Sequence, residues 1–253
     1  MGKKKKAALI SLISVASIIA VAVIAFGIYV GDYYHADDTS IEAFAYNSTG
    51  IYENTDEDEN LVFAPTDPIA GFVFYPGGKV EHTAYVPLMR ALAERGVLCI
   101  LIEMPFNLAI FDTGAAKGVK DSFDFIDDWY IGGHSLGGSA AAMYVEENPD
   151  EFDGLILLGA YSSVNLSDTG MDVLSIYGTE DGILNREKYE ECRANLPDGY
   201  TEEIIDGGCH AYFGMYGIQE GDGIPRITPD EQIDLTANII LQTVAGGVQI
   251  KLI

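Results

Sequence analysis

Tyr130-Ile131-Gly132-Gly133-His134-Ser135-Leu136-Gly137-Gly138-Ser139-Ala140-Ala141 is the stretch from which this chain is best read. A short apolar run enters it, and an alanine-rich segment with helical spacing leaves it, running to Glu147 before Pro149. Between the two, Gly133–Gly137 fits G-x-S-x-G, a tight turn from strand into helix with a serine at its apex. A Cβ at Gly133 or Gly137 would crowd the serine's backbone. The small residues Gly138, Ser139, Ala140 and Ala141 let the helix come close to the strands. A short motif proves little alone; its place between a strand and a helix gives it weight.

Outward from that turn, strands and helices alternate. Apolar runs bounded by Gly and Pro predict strands at Leu61–Pro65, Gly71–Tyr75, Val97–Ile102, Tyr130–Gly133, Gly154–Leu158, Val173–Tyr177 and Thr201–Ile205. Helical spacing predicts Tyr85–Arg95, closed by Gly96, then Lys117–Asp128, Ser139–Glu147 and Pro229–Val244. The acidic run Glu53–Asn60 reads as a solvated turn between two early strands. This order implies an α/β fold, a mostly parallel sheet with helices on both faces, and function at the carboxyl ends of the strands.

Four strand ends carry candidate chemistry. Ser135 is the candidate nucleophile. Asp181, on the loop after Ser175–Gly178, can accept the Nδ1 proton of a histidine, with Glu180 as the adjacent rival. His210 follows the last strand behind Gly207-Gly208 and can take a proton from Ser135. Of the other three histidines, His35 is expected next to the membrane, just after the long apolar amino-terminal run, and His82 is the alternative base. His134, the variable residue of the turn, is expected to point away from the serine's partner. Tyr75-Pro76-Gly77-Gly78-Lys79 ends another strand. An oxyanion needs two backbone N–H donors, expected from Leu136 and from Gly78, with Lys79 as the alternative to Gly78. Substrate-pocket candidates are Lys79, Phe106, Asn107 and Tyr212.

The order Ser135, Asp181, His210 is that of α/β-hydrolases. From about Gly71 onward the chain resembles that superfamily, and within it the fold-5 family of dienelactone-hydrolase-like and carboxylesterase-like proteins. The stretches that carry the resemblance are FYPGGKVEHTAYVPLMRALAERG, IEMPFNLAIF, IGGHSLGGSAA, IYGTEDGI and GGCHAYFGMYGIQEGDG. It implies a serine hydrolase with Ser135, Asp181 and His210 as its triad and backbone donors at Gly78 and Leu136. Dienelactone hydrolases proper use a cysteine where this chain has Ser135. Only a short polar loop, Gly159–Asp172, fills the gap in which many relatives insert a cap, so an open, shallow site is expected.

The amino-terminal residues form a separate unit in this reading. Lys3–Lys6 precede an uncharged run, Ala7–Val30, whose length as a helix is roughly 36 Å, against about 30 Å for a hydrocarbon core. The expected division is a cytoplasmic basic segment (1–6), a transmembrane anchor (7–30), a tether (31–40) and the hydrolase domain (41–253). Lysines on the near side keep that end in the cytoplasm and place the domain outside it. Secretion after cleavage of a signal peptide is the alternative.

Of the 253 residues, 48% are hydrophobic, enough to bury a core. There are 14 Lys+Arg against 39 Asp+Glu, a net charge of −25. Four of the 14 lie ahead of the apolar run, so the folded part is more acidic still. Such a surface repels phosphate backbones and excludes a nucleic-acid partner. Cys99 reads as a buried small hydrophobe, and Cys192 and Cys209 could pair outside the cell. No Cys/His spacing suggests a metal, and the chemistry requires no cofactor. The expected substrate is a small or medium carboxylic ester. Alternatives are another acyl bond (amide, thioester or cell-envelope ester) or a hydrolase-shaped binding protein.

Overall fold

The computed structural model describes residues 2–38, 42 and 50–246. Thr39 and residue 40 of the expected tether lie outside that set, as do the last seven residues of the expected domain. Two compact units are present, Met1–Tyr33 and Tyr34–Ile253. The first is one helix, α1 (Lys3–Gly31). Its mean hydropathy reaches 2.8, and it is long and apolar enough to cross a membrane.

The second unit is built on one eight-stranded sheet in the order β1-β2-β4-β3-β5-β6-β7-β8. Its strands are β1 (Ile51–Thr55), β2 (Leu61–Pro65), β3 (Ala70–Tyr75), β4 (Val97–Leu101), β5 (Trp129–His134), β6 (Gly154–Leu158), β7 (Asp172–Gly178) and β8 (Thr201–Ile205). β2 is antiparallel to both β1 and β4, and every other pairing is parallel. The helices are α2 (Val86–Ala93), α3 (Leu136–Glu147), α4 (Arg186–Cys192) and α5 (Pro229–Val244).

Strand side chains alternate between two cores, as the period-two pleat requires. Phe72, Phe74, Cys99, Leu101, Ile156 and Leu158 face one way, into a core shared with α2 and α5. Val73, Tyr75, Leu98, Ile100, Leu155 and Leu157 face the other, against α3. Burial on both faces explains why these strands are continuous apolar runs.

Several expectations are corrected. Lys117–Asp128 is not a helix: one 3-10 turn, Val119–Ser122, is all that forms there. Gly118 takes a left-handed φ of 74° at its start. The aspartates that follow favour turns over helix interior, and Phe123 packs on Trp129 while Phe125 stays exposed. The helix expected from Tyr85 begins as a 3-10 turn, His82–Tyr85, before α2. Helix α4 was not anticipated, although Asn185 caps it by accepting the N–H of Lys188. The acidic hairpin is not wholly solvated, because the Glu53 carboxylate is buried against Arg90 Nη2, at 2.6 and 2.8 Å. Cys99, Cys192 and Cys209 are all free thiols. Cys192 ends α4, whereas Cys209 is buried on the loop after β8.

Candidate active site

The chain leaves β3 for β4 on one side of the sheet and then crosses back to β5 on the other. This reversal opens a crevice beyond the carboxyl ends of β3 and β5, the usual position of a site in such sheets. The loop after β3 carries Gly77 and Gly78, and Ser135 follows β5.

Ser135 sits at φ 51°, ψ −119°, a strained conformation for a residue with a side chain. Its N–H donates to the carbonyl of Leu158 at 2.9 Å. The turn is packed against backbone that cannot yield. A Cβ on Gly137 would lie 2.2 Å from the Tyr75 carbonyl oxygen, and one on Gly133 2.4 Å from the same atom.

Leu136 is the first residue of α3, so its N–H has no partner within the helix. Gly78 lies against it: a Cβ there would fall 2.9 Å from Leu136 Cδ2. Among the described residues, neither N–H donates to a protein acceptor. By contrast, the Lys79 N–H is taken by the Asn107 carbonyl at 2.7 Å, which leaves Gly78 as the available donor on this loop.

His210 and Asp181 are both buried, with Nδ1 and Oδ2 2.9 Å apart. The other carboxylate oxygen of Asp181 accepts the N–H groups of Ile183 and Leu184 at 3.0 and 2.8 Å. This fixes the ring so that Nε2 carries the free lone pair, and among the described residues Nε2 has no protein partner. Ser135 and His210 line one cavity of about 250 Å³ with Leu136, Tyr161, Ile183 and Leu184. The larger cavity, about 680 Å³, lies at the opposite, amino end of the strands, beside Asp128, Asp153 and Asp172. Cavity size therefore does not mark this site; the chemistry does.

Three further residues hold this geometry and were not foreseen. Gly159, at φ 52°, lies beneath the His–Asp pair, where a Cβ would come within 2.9 Å of His210 Nδ1. Gln232, fully buried on α5, exchanges two hydrogen bonds with the backbone of Cys209 at 2.9 and 2.7 Å. Asp222 accepts N–H groups from Gly182, His210, Ala211 and Gly223 at 2.8–3.2 Å. Burial alone would raise its pKa, but these four donors together hold it below the usual aspartate value. The sequence offered one hint, an aspartate between two glycines (Gly221-Asp222-Gly223).

The remaining candidates lie elsewhere. The Glu180 carboxylate bonds Arg226 and Thr179. His82 is half-buried at the start of a 3-10 turn and does not line the cavity. Burial lowers its pKa, against the opposing pull of Glu103, Glu81 and Glu59. Lys79, Phe106, Asn107 and Tyr212 do not line the cavity either, which opens on the β6 and β7 side of Ser135. Phe106 instead stacks edge-on with Phe111. The expectation for His134 was wrong: its ring centroid is 4.4 Å from that of His210. Residues between β6 and β7 form no helix or strand, so no cap covers the cavity there.

This sheet order, with a serine turn after β5 and a histidine after β8, defines an α/β hydrolase. The model of the Alpha/beta hydrolase family matches residues 71–234, and the chain belongs to that family. Among solved structures, it is similar to a dienelactone hydrolase from Anabaena variabilis (13% identity, TM-score 0.58, covering 78% of this chain and 98% of that one). It is also similar to Est1E from Butyrivibrio proteoclasticus (14%, 0.56, 78% and 100%) and to the carboxylesterase CesB from Bacillus subtilis (13%, 0.55, 83% and 96%). At these identities the likeness is one of fold. No curated protein matches the sequence.

Proposed function

We propose that this chain is a membrane-anchored serine hydrolase that cleaves small or medium carboxylic esters. The observation that carries the proposal is the cavity lined by both Ser135 and His210, with His210 Nε2 unpartnered among the described residues and Asp181 bonded to Nδ1. Ser135 Oγ attacks the ester carbonyl as His210 Nε2 takes its proton. The Asp181 carboxylate stabilises the imidazolium. The N–H groups of Gly78 and Leu136 hold the tetrahedral oxyanion. His210 returns the proton to the departing alcohol, and the acyl group stays on Ser135. Water, deprotonated by the same imidazole, then releases the acid and restores the serine. Ester-hydrolase names among the structures of like fold favour an ester over other acyl bonds.

A fluorophosphonate probe tests the chemistry. Wild-type protein should be labelled, and Ser135→Ala should abolish labelling. Ser135→Ala and His210→Ala should each lower turnover of p-nitrophenyl esters by at least about 10³-fold while the protein stays folded. Folded wild-type protein that takes no label would instead be a binding protein of hydrolase shape. Equal loss in His82→Ala with a harmless His210→Ala would move the base to His82.

The membrane part of the proposal rests on the length and apolar character of α1. The basic lysines put its start in the cytoplasm and the hydrolase unit outside. Full-length chain should stay in the pellet when membranes are extracted with alkaline carbonate. A trimmed, soluble chain would show a cleaved signal. The partners proposed are thus a small ester and a lipid bilayer, with no nucleic acid.

A further inference from the structure

His134, the variable residue of the serine turn, is fully buried and has no place in the reaction just described. Its Nδ1 lies 2.8 Å from the hydroxyl of Tyr85, itself fully buried. That hydroxyl already accepts the N–H of Gly77, at 3.0 Å. Two observations show that the three residues are tightly fitted. A Cβ on Gly77 would come within 2.7 Å of the Tyr85 oxygen and 2.8 Å of His134 Nδ1. The His134 ring also packs on that of His210, with centroids 4.4 Å apart and planes at 47°.

The direction of the hydrogen bonds can be worked out along the series. The Gly77 amide can only donate, so the Tyr85 oxygen accepts there and its proton is free to point at His134. Burial, with the neighbouring His210 adding to it, holds the His134 pKa well below the ordinary histidine value, so the ring is neutral. A neutral ring that accepts at Nδ1 carries its proton on Nε2, and a hydrogen bond with the His210 backbone opposes the lowering of its pKa. One polar series therefore runs from the glycine next to Gly78, through Tyr85, to a ring packed at a tilt against His210.

We propose that Tyr85 and His134 are positioning residues that set the spacing between the oxyanion loop and the base. The inference rests on the serine-hydrolase reading above. Pro76-Gly77-Gly78 lies in a loop, and glycine adds backbone freedom that an oxyanion donor must not have. The Tyr85 hydroxyl pins this loop at Gly77, one residue before the donor. His134 holds the hydroxyl in turn and packs an uncharged ring, tilted by 47°, against the imidazole of His210. Neither residue touches the ester.

Tyr85→Phe removes one oxygen and keeps the ring in the core. Its turnover should fall about 10- to 100-fold with KM within about twofold, because a loosened donor costs less than the 10²–10³ lost when a donor is deleted. The affinity of a trifluoromethyl ketone, which forms an oxyanion on the serine, should fall in parallel. His134→Leu should cause the same loss, and Tyr85→Phe/His134→Leu little more than either alone, since both cut one series. His134→Asn places an amide oxygen near the former Nδ1 and should recover most of the activity. Should either single variant fail to fold, the recovery by Asn and the ketone affinity still decide. Full turnover in Tyr85→Phe, or independent losses that multiply in the double variant, would overturn the proposal. Wild-type labelling by the fluorophosphonate separates that failure from a failure of the hydrolase reading itself.

Discussion

At the scale of single residues, the candidate site depends on positions where a side chain has no room. Ser135 keeps its strained φ only because Gly133 and Gly137 let the Tyr75 carbonyl approach. Gly159 does the same for the other half of the site, and at φ 52° it also takes a backbone conformation that disfavours alanine. Gly159→Ala should cost about 1 kcal/mol in stability through the backbone. The added methyl would meet His210 and Asp181, a pinned pair rather than a flexible chain end. Ester turnover should therefore fall by about 100-fold or more, well beyond what the stability loss explains. Steady-state kinetics on folded variant, with its melting temperature measured alongside, checks this. A variant with a lower Tm and intact kcat would show that the pair tolerates displacement.

At the scale of elements, the loops after β7 and β8 supply Asp181 and His210, and Asp222 ties them together. One carboxylate accepts from Gly182 on the first loop and from His210 and Ala211 on the second. Because the folded pKa of Asp222 is depressed, its stabilising contribution is present above the unfolded value near 3.8 and is lost as pH falls through the lower folded value. Asp222→Asn should thus be less stable than wild type at pH 7, and the gap should be narrower in acid, below pH 3.8. Urea midpoints at the two pH values test the sign; a gap that widens in acid would refute it. The central strands were legible because both faces of the sheet are buried there, which leaves a strong apolar signal from Leu61 to Gly178, whereas β8 is mostly exposed. Helix α5 was legible through its helical spacing, and the structure adds a capping box between Thr228 and Glu231 at its start. The clamp at Asp222 was not, since its four partners are backbone amides, which leave no trace in residue identity. The segment Lys117–Asp128 misled for a related reason: its apolar spacing suggests a helix, but Gly118 and the aspartates satisfy the backbone locally. Orientation was the other blind spot. Whether His134 faces His210 depends on how the 3-10 turn His82–Tyr85 brings the Tyr85 hydroxyl to its Nδ1.

At the scale of the whole molecule, charge bears on which esters reach the site. Acidic residues outnumber basic ones by 39 to 14, and four of those 14 precede the apolar helix. The cavity of the candidate site offers no counterweight, because Tyr161, Ile183, Leu184 and Asn185 are uncharged and, among the described residues, no lysine or arginine lines it. A carboxylate-bearing ester therefore approaches against the field of the entire domain, whereas a neutral one does not. Added salt shortens the reach of that field from about 10 Å at 0.1 M ionic strength to about 3 Å at 1 M. The value of kcat/KM for an anionic ester, such as a mono-ester of a dicarboxylic acid, should rise with salt across this range. For a neutral ester of equal chain length it should stay nearly flat. Stopped assays on the two substrates side by side supply the test. If the anionic ester is preferred at low salt, a cation outside this cavity must be drawing it in, and Lys79, on the loop after β3 but off the cavity wall, would be the first residue to substitute.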